Sequence, residues 1–206
     1  MVLHGGASQQ GSPMVSPAQL SVLRMIPVAR RIARVGEGRL AVYRLLNSAR
    51  GWDAHHTPVM DVAWALDRVS MLHPGLPVGL VGHSLGGRAA LLGGSGPGVR
   101  SVVALNPWVY PSDDNDLTGR RTLIVHGLAD RIASPERSAL VARRLARTSQ
   151  VGYISVAGGK HAMLRHGSRF ERYAAEFTVA ILVGQERPAP SAPVAAILAG
   201  AEHADG

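Results

Sequence analysis

Apolar and polar positions fall into two alternating kinds of stretch along the chain. Short apolar runs occur at Val2-Leu3, Leu40-Leu46, Pro77-Val81, Val99-Leu105, Thr122-Val125 and Val151-Val156. Each is too short for a helix and is bounded by Gly, Pro, Asn or Asp, which predicts strands. Near-continuous rather than alternating apolar character predicts burial on both faces, as in a parallel sheet. Between them lie segments with helical spacing. Ser16-Pro17, Thr57-Pro58 and Ser134-Pro135 each set a hydroxyl before a proline. The hydroxyl can accept from an orphan backbone N–H, and proline suits the first helical position. The first of these helices contains Pro27, so a break is expected near Ile26. A third helix is expected over about Pro135 to Arg147. A last one is expected over about Ser168 to Val183, with Phe170, Ala174, Phe177 and Ile181 at core spacing.

Strand–helix alternation implies an α/β fold with right-handed crossovers and a mostly parallel six-stranded sheet. The body is expected to occupy residues 1–184. Residues 185–206 open with Gln-Glu-Arg-Pro-Ala-Pro and read as a flexible Pro/Ala-rich tail, with a weak helical turn at Val194-Leu198.

Composition narrows this picture. With 206 residues, 46% of them hydrophobic and 17% charged, the chain can bury a core and is not compositionally disordered. It has no cysteine, which excludes disulfides, a thiol nucleophile and thiolate metal sites. No apolar run approaches the ~18 residues of a membrane span, so no membrane partner is expected. The first residues lack the basic-then-apolar pattern of a secretion signal, and a cytoplasmic location is expected. The net charge is +8, and Lys160 is the only lysine among the basic residues. The arginines are dispersed, with few aromatics between them for base stacking, so nucleic acid is not an expected partner.

The chemistry concentrates at Gly82-His83-Ser84-Leu85-Gly86-Gly87. A strand, a tight turn bearing serine and a helix make the setting of a nucleophile elbow. Crowding at such a turn calls for Gly82 and Gly86, and the following helix points its positive end at the serine. The pattern G-x-S-x-G is weak by itself. Three further pieces accompany it. His4-Gly5-Gly6 ends the opening strand, so that the Gly6 and Leu85 N–H groups form a candidate oxyanion hole. His126-Gly127-Leu128-Ala129-Asp130 follows a strand and offers Asp130 as the acid that orients a base. Asp113, Asp114 and Asp116 are its rivals, in a polar cluster that reads as a solvated turn. Gly158-Gly159-Lys160-His161 follows the last strand of the body and offers His161 as the base. His4 and His126, each before a glycine at a strand end, read as structural. The adjacent pair His55-His56 and the pair His161/His166 do not complete a metal set.

On these motifs the chain resembles the α/β-hydrolase superfamily, whose triad follows the same order Ser…Asp…His. The resemblance covers about residues 1–183. It implies Ser84 as nucleophile, Asp130 as acid, His161 as base, Gly6 and Leu85 as oxyanion donors, and no cofactor. It implies a serine hydrolase acting on small or short-chain carboxylic esters. Thioesterase, peptidase, acyltransferase or non-catalytic binding roles on the same scaffold are the alternatives. Two strands common in that family ahead of the HG loop have no counterpart here, so the edge beside Leu40-Leu46 is expected to be exposed, a potential homodimer contact. The short stretch Pro107 to Arg121 leaves no room for a cap, so an open site is expected. Trp108, Tyr110, Ile132 and Met163 are candidate walls for the substrate.

Overall fold

A computed structural model describes residues 1–6, 14–113, 115–184 and 189–206. Seven strands form one sheet in the order β2-β1-β3-β4-β5-β6-β7. They are β1 (Val2–Leu3), β2 (Arg44–Leu45), β3 (Val78–His83), β4 (Val99–Leu105), β5 (Arg121–Gly127), β6 (Gln150–Val156) and β7 (His203–Asp205). Every neighbouring pair is parallel. The helices are α1 (Leu20–Leu23), α2 (Met25–Gly36), α3 (Thr57–Leu72), α4 (Leu85–Leu92), α5 (Pro135–Leu145), α6 (Gly167–Leu182) and α7 (Ala192–Leu198).

Apolar runs become central strands because both faces are covered. In β4, Val103 and Leu105 pack into the core shared with α2, α6 and α7, while Val102 and Ala104 pack into the core shared with α3, α4 and α5. In β5, Leu123 and Val125 face the first core and Ile124 the second. Each Val, Leu or Ile among these contributes about 1.5–3 kcal/mol by leaving water.

Several local expectations shift. The first helix breaks at Arg24, ahead of Ile26, and Pro27 falls in the first turn of α2, where its missing N–H has no role to fill. Ser134 caps α5 by accepting from Arg137 N–H at 3.1 Å. Thr57, by contrast, is already helical, and the Asp53 carboxylate accepts from its N–H at 2.9 Å. The edge run Leu40-Leu46 yields only two paired residues, because Leu40 and Val42 turn inward against the first core.

The largest departure is at the C-terminus. Residues 185–188 lie outside the described residues, but 189–206 do not form a loose tail. Val194 and Ile197 are buried in the first core, and β7 adds a seventh strand to the six expected. A Cβ on Gly152 of β6 would overlap Ile197, so this glycine leaves the space in which α7 sits. Ser191 N–H and Oγ both donate to the Glu176 carboxylate of α6, at 2.9 and 2.5 Å. The strand His-Ala-Asp carries no apolar pattern, and for that reason its sequence reads as tail.

Candidate active site

Ser84 lies between the last residue of β3 and the first of α4. Its backbone takes φ 56° and ψ −121°, a conformation that costs a non-glycine residue about 1–3 kcal/mol. The turn is tight enough that a Cβ on Gly82 would overlap the Gly86 carbonyl, and one on Gly86 would come within 2.5 Å of the His4 carbonyl oxygen. Both glycines are therefore required by backbone approach. The His4-Gly5-Gly6 loop presses on the same turn, since a Cβ on Gly5 would stand 3.0 Å from that of Ser84. His4 stiffens the loop. Asn47 N–H donates to its Nε2 at 3.1 Å, so Nδ1 carries the hydrogen and donates to the Gly5 carbonyl at 2.6 Å. Leu85 opens α4, and its N–H has no acceptor within the helix.

The loops after β5 and β6 are zipped together. Leu128 N–H donates to Val156 O at 3.0 Å and Ala129 N–H to Gly159 O at 2.9 Å. Gly127 and Gly159 approach so closely that a Cβ on Gly127 would overlap the Gly159 carbonyl. This brings Asp130 and His161 together: His161 Nδ1 lies 2.8 Å from Asp130 Oδ2, and His161 Nε2 lies 3.0 Å from Ser84 Oγ. The Asp130 carboxylate also accepts at Oδ1 from the N–H groups of Ile132 and Ala133, at 2.8 and 3.0 Å. Burial by itself would raise its pKa. Hydrogen bonds from His126, His161 and those two N–H groups outweigh burial and hold the carboxyl well below the usual carboxylate range. With the acid ionised, His161 Nδ1 carries the hydrogen, leaving Nε2 as the acceptor that faces Ser84 Oγ.

Three supporting residues were not legible as such in the sequence. His126, read as merely structural, stands behind the acid. Its Nε2 is 3.3 Å from Asp130 Oδ2 and 3.2 Å from the Ala133 carbonyl. Both are acceptors only, so that nitrogen bears the hydrogen. Its Nδ1 meets Ser138 Oγ at 2.7 Å. Asn106 is fully buried at φ 41°. Its Nδ2 donates to the carbonyls of Lys160 and His161 at 3.1 and 3.2 Å, and its Oδ1 accepts from Gly127 N–H at 2.8 Å. His83 donates from Nε2 to the same His161 carbonyl at 2.8 Å. Burial, followed by the neighbouring His161, lowers its pKa to about 3, so it is a neutral anchor. Asn106-Pro107 reads as a turn in sequence, which conceals that its side chain joins two loops.

The rival acids separate. Asp113 is buried and paired with Arg88, contrary to a solvated turn, and Asp116 caps Thr118. Asp114 lies outside the described residues. Among the candidate walls, Trp108 is half-buried beside the elbow, its backbone N–H donating to the Ser84 carbonyl at 3.2 Å. Tyr110 is exposed and meets Trp108 edge-on at 4.9 Å. Ile132 is exposed, whereas Met163 is a packed core residue.

No protein-family model and no curated protein matches this chain. Solved structures do match. Est1E from Butyrivibrio proteoclasticus superposes with a TM-score of 0.63 at 15% identity, covering 86% of this chain and 85% of its own. A homologue of α/β serine hydrolases from Coxiella burnetii gives 0.59 at 17% identity, covering 84% and 81%. The chain has the α/β-hydrolase fold. An esterase from Pyrococcus furiosus shares it with a TM-score of 0.67 at 13% identity, covering 88% and 80%. In this α/β-hydrolase fold, the described residues between β4 and β5 contain no cap. Nor is any described helix long and apolar enough to cross a membrane.

Proposed function

We propose that the protein is a serine hydrolase that cleaves carboxylic esters through an acyl-enzyme. The observation that carries this reading is the relay Ser84 Oγ–His161 Nε2 at 3.0 Å and His161 Nδ1–Asp130 Oδ2 at 2.8 Å, mounted on a strained turn. Ser84 Oγ attacks the ester carbonyl while His161 Nε2 takes its proton. The carbonyl electron pair moves onto oxygen, where the N–H groups of Gly6 and Leu85 stabilise the developing charge. The carbonyl re-forms, the C–O bond to the alcohol breaks, and His161 protonates the departing oxygen. Water then attacks the acyl-enzyme with His161 as base, and the carboxylic acid leaves as Ser84 regains its proton. Asp130, kept ionised by its four donors, orients the imidazole and stabilises its cationic form.

The open surface between β4 and β5 favours small substrates that need no enclosing lid, and names such as esterase among the structural neighbours point to the same reaction class. The test is covalent labelling with a fluorophosphonate followed by peptide mapping. Modification is expected at Ser84. Ser84→Ala is expected to abolish labelling and lower the hydrolysis of a nitrophenyl ester by about 10⁴-fold or more. A wild-type protein that resists labelling and cleaves no such ester overturns the reading.

A further inference from the structure

Arg88 lies one helical turn beyond Ser84 on α4 and is only 5% exposed. Buried arginines occur almost only when paired. Its Nε and Nη2 donate to Asp113 Oδ2 and Oδ1 at 2.6 and 2.7 Å, a bidentate pair. The guanidinium carbon stands 4.0 Å from the ring centre of Trp52 and 4.8 Å from that of Tyr110. Asp113 Oδ2 also accepts from Tyr110 N–H at 2.8 Å. One cation thus joins two aromatic rings and the carboxylate that fixes one of them.

The two rings hang from the loops that flank the nucleophile. Trp52 follows Gly51, whose N would lie 3.5 Å from a Cβ on Gly6. Tyr110 lies two residues after Trp108, whose backbone N–H is bonded to the Ser84 carbonyl. Taking both charges of an ion pair out of water is costly, and apolar side chains of similar volume often fill such a site equally well or better. What apolar packing would not supply is a planar, directionally bonded group that sets the separation of two rings.

We propose that Arg88 is a positioning residue that sets acyl specificity: the Trp52–Arg88–Tyr110 stack is a fixed wall between the oxyanion loop and the β4–β5 loop, and it restricts the acyl group to short chains. This rests on Ser84 being the nucleophile. The wall acts by volume. It contributes no proton and touches no reacting atom, so its signature is a change in selectivity rather than a uniform loss of rate.

The experiment compares acetyl, butanoyl and octanoyl nitrophenyl esters, with fluorophosphonate labelling of the same samples. Trp52→Ala removes one ring and keeps the ion pair. The double variant Arg88→Met with Asp113→Leu replaces the pair by apolar volume and strands no charge. Both are expected to raise the octanoyl-to-acetyl ratio of kcat/KM by about tenfold, through a lower KM for the longer ester. Should the double variant fail to fold by circular dichroism, Trp52→Ala decides alone. A labelled, folded variant with an unchanged ratio overturns the inference, as does an equal loss of kcat at every chain length. Absence of labelling in the wild type overturns the nucleophile reading, and the wall falls with it.

Discussion

On one flank of Ser84, His161 is held by bonds to its backbone carbonyl from neutral donors, His83 and Asn106, and by the carboxylate in front of its ring. On the other flank, Trp52 and Tyr110 are held by a buried ion pair and ring stacking. The two constructions suit different tasks. Proton transfer needs one nitrogen placed within a few tenths of an ångström, and several short directional bonds achieve that. Substrate selection needs a surface of fixed shape, and two rings clamped about a planar cation provide one. Damage to the first flank is expected to lower kcat for every substrate alike, and damage to the second to alter the ranking of substrates.

The sharpest break on the first flank is Asp130→Asn. It retains the volume but removes the charge that, in the proposed reaction, orients His161 and stabilises its cation. A loss of about 10³–10⁴-fold in kcat is expected, at unchanged acyl preference, by steady-state kinetics across the ester series. Asn106→Ala comes next. It removes one donor from the Lys160 and His161 carbonyls, the latter still held by His83, and takes the acceptor from the buried Gly127 N–H. It is expected to cost about 2–3 kcal/mol in urea unfolding and roughly tenfold to a hundredfold in kcat. His126→Phe keeps a ring behind the acid but removes one donor to it, and a loss of about tenfold in kcat is expected. An effect on Asn106→Ala or His126→Phe that differs with acyl length would erase the distinction between the flanks.

The last effect is on stability, read against pH. His83 has a folded pKa of about 3 against an ordinary value of 6.5, so between these limits the unfolded chain binds a proton that the folded one does not. Stability therefore falls as pH is lowered from about 6.5 toward 3. His83→Gln can keep a donor for the His161 carbonyl without titrating. It is expected to flatten the slope in urea unfolding measured across that range. Asp130 is shifted in the same direction and acts in a lower window: its contribution is complete above the ordinary carboxylate range and is lost only in stronger acid.

The pieces most legible in sequence are those in which one residue type answers one geometric demand. Gly82 and Gly86 are readable because no other residue fits the turn, and Ser84, Asp130 and His161 because each follows a strand at the same end of a parallel sheet. The six apolar runs mark the six body strands for the same kind of reason. Residues whose role depends on a partner far along the chain are silent. Nothing near Arg88 announces Asp113, and nothing near Asn106 announces the loop at Lys160. Strand β7 is silent for another reason: His203–Asp205 gains its order from pairing with β6, after helix α7 whose Ile197 is seated at Gly152, rather than from an apolar pattern of its own.

The order of the sheet has a kinetic consequence. Strands β3 to β6 each pair with the next in sequence, but β1 must insert between β2 and β3, and Met1 finds Gly79 across 78 residues. Closing that loop carries the entropy of a long excursion before any contact offsets it, so β1 is expected to dock late in folding. The glycine loop that presses on Ser84 is the direct continuation of β1. During refolding, then, the chain is expected to acquire most of its helical signal before it can react with a fluorophosphonate, and the lag between the two measures the arrival of its first strand.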